Sequence, residues 1–127
     1  MAERIFLSVA EVLAIHHLQI EEYGGSHGLR DRGLLESAVF RPQVGYYVDI
    51  REVAAALMES LANNHPFLDG NKRTAFASVH TVLLVNGYDL DVDSSSVFRF
   101  ISGALEVREF RFGAILDWLK EHVVTRS

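Results

Sequence analysis

A single dipeptide, His65-Pro66, set between two runs of helical spacing, constrains this chain more than any other feature. Proline disfavours helical geometry in the residue before it. His65 is therefore expected to be extended, and the helix ahead of it to finish at Asn63 or Asn64. That helix covers about 50–63: Asp49 and Glu52 form an Asp-x-x-Glu start, and Val53, Ala56, Leu57 and Ser60 follow at inward spacing. The next helix is predicted from Asn71 to Val85, with Asn86-Gly87 as its C-terminal cap. Its Ala75, Phe76, Val79, Val82 and Leu83 leave little polar face, which predicts a central buried helix. A short loop therefore has to deliver the chain from one strong helix into the start of another.

Helical spacing dominates elsewhere too. Ser8-Val9-Ala10-Glu11 reads as a capping box, opening a helix that runs to about Glu22 before Gly24-Gly25 stops it. A glycine-rich stretch, GGSHG at 24–28, follows. Asp31 or a neighbour then starts a short helix ending near Phe40, ahead of Arg41-Pro42. Tyr88 to Asp93 alternates apolar and acidic residues and is expected to be extended. Ser94–Ser96 offers caps for a helix of about 95–105, and a last helix covers about 110–123 with Phe110, Ala114, Ile115, Trp118 and Leu119. No internal repeat or linker interrupts the pattern. The expected architecture is an all-α fold of six or seven helices in one domain, residues 1–127.

Composition removes several kinds of chemistry. Without cysteine there is no disulfide framework, zinc–thiolate site, thiol nucleophile or iron–sulfur cluster. Hydrophobic residues make up 49% of the chain and charged ones 23%, which argues against disorder. Twelve Lys and Arg against seventeen Asp and Glu leave a formal charge of −5, so no global basic footprint for nucleic acid exists. Lys72-Arg73 is the only adjacent basic pair. The opening MAERIFLSVAEVLAIHH carries Glu3 and Glu11 and no cleavage-like site, so no secretory signal is expected there. No run approaches eighteen apolar residues, so no membrane-spanning helix is expected, and the chain suits a cytoplasmic address.

The chemistry concentrates in His65-Pro66-Phe67-Leu68-Asp69-Gly70-Asn71-Lys72-Arg73-Thr74-Ala75. The run leads into a helix N-terminus, whose first amides lack intrahelical acceptors and carry the positive end of the helix dipole. Such an end binds anions. Gly70 lets backbone approach a phosphate, Asn71 can cap the helix or bond the phosphate, and Lys72 and Arg73 add full positive charge. Histidine is the side chain that exchanges protons near neutral pH, which makes His65 the candidate general base. Asp69 is a natural magnesium ligand, because magnesium takes one or two carboxylates together with substrate phosphates. A base, a metal carboxylate and a cationic helix end suit transfer of a phosphorus group from a nucleotide to a hydroxyl. Taken one residue at a time, a turn rich in Gly, Asn and Asp with a solvated Lys-Arg pair explains the segment as well. Eleven adjacent residues that all fit one chemistry are harder to dismiss.

This run resembles the signature of the Fic superfamily, His-x-Phe-x-Asp/Glu-Gly/Ala-Asn-x-Arg, with His65, Phe67, Asp69, Gly70, Asn71 and Arg73 in register. It is most similar to the death-on-curing (Doc) branch, toxins of toxin–antitoxin pairs. Lys72 before the arginine and YGGSHGLRDRGLLESAVFRP at 23–42 point the same way. The resemblance implies a compact helical fold with the signature between two central helices. It implies His65 as the base that deprotonates a target hydroxyl, Phe67 facing the core, Asp69 holding Mg2+, and Gly70, Asn71, Lys72 and Arg73 around the phosphates of ATP.

Two departures bear on which group moves. Relatives that transfer a nucleotidyl group usually have glycine in the slot of Lys72 and a second arginine in the slot of Phe76. A lysine side chain crowds the pose that glycine permits, and a phenyl ring cannot clamp a phosphate. Doc-like members share this pattern and are understood to bind the nucleotide in the reversed sense, passing on its terminal phosphoryl group. The resemblance thus implies an ATP- and Mg2+-dependent protein kinase, with a threonine of elongation factor Tu as the best-known target of the branch. It also implies an antitoxin partner whose disordered tail folds on binding. An adenylyl transferase using the same His65 and Asp69, and a catalytically idle binding module, are the alternatives. Self-inhibiting superfamily members carry Ser/Thr-x-x-x-Glu-Gly/Asn; Ser102 to Glu106 has the spacing, but Val107 follows, so no built-in inhibitor is expected.

Other features have plainer explanations. His16 and His17 are adjacent on a predicted helix, about 100° apart, and are expected to be one surface and one boundary histidine rather than to share a metal. His27 is expected in a mobile loop, unless 24–47 folds over the signature, and His80 as a hydrogen-bonded core residue. Asp89-x-Asp91-x-Asp93 lacks the glycine and glutamate of a calcium loop, since Ser94 and Phe100 stand there. Phe98, Phe100, Phe110, Phe112 and Trp118 have the spacing of core residues.

Overall fold

The computed structural model describes residues 4–126. Six helices form in the order expected: α1 (Val9–Tyr23), α2 (Arg32–Phe40), α3 (Ile50–Asn64), α4 (Asn71–Val85), α5 (Ser94–Glu106) and α6 (Phe112–His122). A single 3-10 turn, Arg41–Gln43, extends α2. The extended segment after α4 is the strand β1 (Tyr88–Leu90), and a second strand, β2 (Val123–Thr125), follows α6 without a break. The two pair antiparallel, Tyr88 opposite Thr125 and Leu90 opposite Val123. Among the described residues no helix is long and apolar enough to cross a membrane.

Local capping explains most boundaries. Ser8 and Glu11 form the expected capping box of α1, and Asp49 and Glu52 form the same device at α3. Asp31 caps α2 through the Leu34 amide. At α5 the cap is Asp93, not one of the serines: its carboxylate accepts from the Ser96 amide at 2.7 Å. An aspartate there gains from the helix dipole as well as from the bond, which a hydroxyl does not.

The core gathers around α3, which packs against α2, α4 and α6. Its Val53-Ala54-Ala55-Ala56 run is buried on every side, because small side chains let neighbouring helices approach from several directions. α4 is central with it, burying Thr74, Ala75, Ser78, Val79, Val82 and Leu83, but α3 is the more enclosed of the two. Arg41 and Glu59 tie the periphery to this centre. The guanidinium lies 2.7 Å from the Glu59 carboxylate, whose other oxygen accepts from the Phe112 amide at the start of α6. His80 departs from expectation: it bonds Asp89 across the α4–β1 turn at 2.8 Å but is only partly buried.

Candidate active site

The loop from His65 to Gly70 is shaped by its neighbours as much as by its own residues. His65 is not extended. It takes the left-handed conformation (φ 48°, ψ 59°) that ends α3, and the Pro66 ring follows outside the helix. For a residue with a Cβ this costs roughly 1–2 kcal/mol. Arg30 offsets the cost, its guanidinium donating to the carbonyls of His65 at 2.6 Å and Asn64 at 2.7 Å. The imidazole of His65 is thereby left exposed at the mouth of a cleft.

Phe67 faces inward as expected, 2% exposed. Its backbone N–H donates to the Asn71 side-chain oxygen at 3.0 Å, and its carbonyl accepts from the Asn71 amide nitrogen at 2.9 Å. The Asn71 carboxamide therefore closes the loop on itself and does not cap α4. The N-cap position belongs to Gly70, left-handed at φ 75° and without a side-chain cap bond. A Cβ on Gly70 would lie 2.9 Å from the tip of the Ile20 side chain, which would have to shift, and the left-handed backbone itself favours glycine.

Asp69 stands on the exposed turn. Its two oxygens accept from the backbone amides of Ser26 at 3.0 Å and Gly70 at 2.8 Å. Those amides, Ser26 foremost, hold its carboxyl below the usual aspartate value, so it is ionised at neutral pH. An exposed, ionised carboxylate with lone pairs to spare is a hard oxygen donor of the kind magnesium takes. No cluster of three or more metal-ligating side chains occurs among the described residues. A cation held by Asp69 would have to be completed by water and substrate phosphates, which is how magnesium sits in nucleotide sites.

The glycine-rich stretch is an ordered strip along this loop. The Leu68 amide donates to the Gly28 carbonyl, the amides of Arg30 and Asp31 donate to the Pro66 carbonyl, and Leu29 bridges antiparallel to Phe67. A Cβ on Gly25 would come within 2.6 Å of an Asp69 carboxylate oxygen, so this approach needs glycine. His27 points elsewhere, bonded to Glu21 at 2.7 Å and beside His17.

His65, Asp69, Gly70, Asn71, Lys72 and Arg73 line one cleft of about 460 Å³, closed on a further side by Leu68 and by Phe98 and Ser102 of α5. That volume lies within the roughly 300–1,000 Å³ of small-molecule sites. Lys72 is exposed in it. Arg73 donates back to the Gly24 carbonyl at 3.0 Å while its guanidinium lies beside the Tyr23 ring. Phe76 stacks on His80 and meets Phe98 edge-on, so α4 presents no second arginine one turn further on. A second cleft of equal volume, by Arg4, Asp49, Arg51 and β2, holds charges already committed. Arg51 pairs with Asp49 there, and Arg4 donates to the carbonyls of Tyr47 and Val48.

Two residues of this site were not anticipated. Arg30 acts across 35 residues and has no local signature. His16, expected on the surface or at a boundary, is buried at 4% exposure, stacked on Phe67 and bonded to the Asp69 carbonyl. Its signal was available: Val12, His16 and Ile20 recur every four residues as the buried stripe of α1.

The family model described as Fic/DOC family matches residues 6–83, a span holding every residue of the loop and most of α4. Among curated proteins, "Protein kinase doc" of Escherichia phage P1 is 34% identical over 118 residues, covering 90% of this chain and 92% of that protein. "Toxin Doc" of Mycolicibacterium smegmatis is 49% identical over 76 residues, a match spanning 56% of this chain and 58% of that one. Sequence over nearly the whole length and a helical fold built around the signature loop agree: the chain belongs to the Fic/Doc family.

Proposed function

We propose that this protein is a Doc-type toxin: a protein phosphotransferase that uses ATP and Mg2+ to phosphorylate a hydroxyl on a cytoplasmic target and so arrests growth. The observation that carries the proposal is the convergence of His65, ionised Asp69, Lys72, Arg73 and the uncapped start of α4 on one cleft. The names of the two relatives support it, since one is called a toxin and the other a protein kinase.

In this scheme the first amides of α4, with Lys72 and Arg73, bind the phosphate chain. Asp69 would hold Mg2+, which neutralises charge building on the phosphate oxygens. His65 takes the proton of the target hydroxyl as its oxygen bonds to the terminal phosphorus. The bond from that phosphorus to the bridging oxygen breaks, and ADP leaves. Lys72 and the phenyl ring of Phe76 favour terminal transfer over adenylyl transfer, because α4 offers no second arginine to clamp the phosphates in the pose that adenylyl transfer uses. A threonine of elongation factor Tu is the first target to try, and a separately encoded antitoxin is the expected restraint.

The test is incubation of elongation factor Tu with ATP labelled at either the terminal or the α-phosphate. Terminal label on the target supports the kinase. Label from the α-phosphate would make the protein an adenylyl transferase, and neither label, with no growth arrest on expression, would leave an idle binding module.

A further inference from the structure

We propose that His16 is a positioning residue, whose buried imidazole fixes the Asp69–Gly70 peptide so that the Asp69 carboxylate and the start of α4 face the nucleotide. The inference rests on the function proposed above but concerns a residue outside the signature. Histidine is unusual in a core stripe, and this one is held on two sides. Its ring lies 3.8 Å from the Phe67 ring at an interplanar angle of 5°, and its Nε2 is 2.8 Å from the Asp69 carbonyl oxygen. A carbonyl oxygen only accepts, so Nε2 carries the proton.

The consequence follows from peptide geometry. In a planar trans peptide the C=O and the following N–H point in opposite directions. Drawing the Asp69 carbonyl inward onto His16 therefore aims the Gly70 N–H away from α1. There it donates to one Asp69 carboxylate oxygen at 2.8 Å, while Ser26 donates to the other at 3.0 Å. One buried donor thus sets a peptide plane, that plane sets a carboxylate, and Gly70 begins α4 directly afterwards. Ile20, one turn along α1, fills the space that a Gly70 Cβ would need and keeps the turn against the same helix face.

The experiment uses the full chain, with His16→Phe, which keeps the stack and loses the donor, and His16→Gln, which returns an N–H donor. In metal-free, nucleotide-free wild type, 15N NMR should show the His16 proton on Nε2 and exchanging slowly. His16→Phe should melt near wild type, yet shift the Ser26, Asp69 and Gly70 amide signals and weaken Mg·ATP binding by calorimetry about tenfold. His16→Gln should recover most of that loss. A ring protonated at Nδ1 alone, a Phe variant with unshifted amides and full Mg·ATP affinity, or a Gln variant no better than Phe would each overturn the inference. Should His16→Phe fail to fold, the wild-type ring measurement and the Gln variant still decide it. If wild type itself has no affinity for Mg·ATP, the nucleotide function fails, whereas the ring and amide signals judge the positioning role separately.

Discussion

Helices α3 and α4 are equally long, fifteen residues each, but they begin in opposite ways. The start of α3 is fully satisfied. Asp49 caps it, Glu52 reaches back to the Asp49 amide, and Arg51 pairs with the Asp49 carboxylate. The start of α4 has a glycine at the cap, no side-chain cap bond, and Lys72 and Arg73 where the helix dipole favours acids. Every other helix start finds an acceptor, including α6, which borrows Glu59. With glycine at the cap the shortfall is only roughly a few tenths of a kcal/mol, and α4 is held from outside as well, by His16 on Asp69, Asn71 on Phe67 and Arg73 on Gly24. The contrast leaves α4 as the one α-helix with an unsatisfied, cationic start among the described residues, which is what the proposed phosphate site needs.

The largest effect is expected at His65, the proposed base, which lines the same cleft. His65→Ala is expected to reduce phosphoryl transfer by about 10²–10⁴-fold, with thermal unfolding close to wild type because the side chain is exposed. Transfer at the wild-type rate would remove His65 from the mechanism. Asp69→Asn should raise the Mg2+ concentration needed for half-maximal transfer, since a neutral amide is a poorer magnesium donor and its NH2 would oppose the Ser26 and Gly70 amides. An unchanged metal titration would separate the carboxylate from the metal.

Lys72→Glu tests the comparison most directly, because it should improve the helix and damage the site. An acid in the first turn gains about 0.3–1 kcal/mol from the dipole, read as a higher melting temperature at low salt. ATP affinity should fall, because a carboxylate then faces the phosphates. A variant that binds ATP as well as wild type would show that the open end is not where phosphates sit.

Much of this was legible in the sequence, for reasons that differ along the chain. The boxes at Ser8–Glu11 and Asp49–Glu52 were readable because a capping box spans only four residues. The inward Phe67 and the gathering of His65 to Arg73 on one cleft followed a contiguous motif. What escaped depends on distant partners. Val123–Thr125 is a strand only because β1 lies beside it, and otherwise continues the apolar spacing of α6. His65 is left-handed against the preference of a residue before proline, because Arg30 reaches its carbonyl from another segment. The burial of His16 could have been read from the stripe it shares with Val12 and Ile20, but the reason for a polar ring there lies in the distant Asp69 carbonyl.

The smallest effect belongs to the satisfied end. Asp49→Asn keeps an oxygen that can cap α3 but removes the charge that pairs with Arg51. Arg51, chiefly through its side-chain hydrogen bonds, lowers the Asp49 carboxyl from 3.8 to about 2. A carboxyl depressed on folding stabilises the folded state above its unfolded pKa, and the contribution is lost as pH falls through the folded one. The wild-type advantage over Asp49→Asn should therefore be present at pH 7, shrink below pH 3.8 and vanish near pH 2. Because both side chains are more than a third exposed, solvent screening limits that advantage to about 1 kcal/mol or less. Denaturant unfolding of both proteins across that range, at constant ionic strength, measures it, and ATP binding at pH 7 should be the same for both. A difference that persisted at pH 2 would mean that Asp49 stabilises α3 through its shape rather than its charge, and the two helix starts would then differ in packing more than in electrostatics.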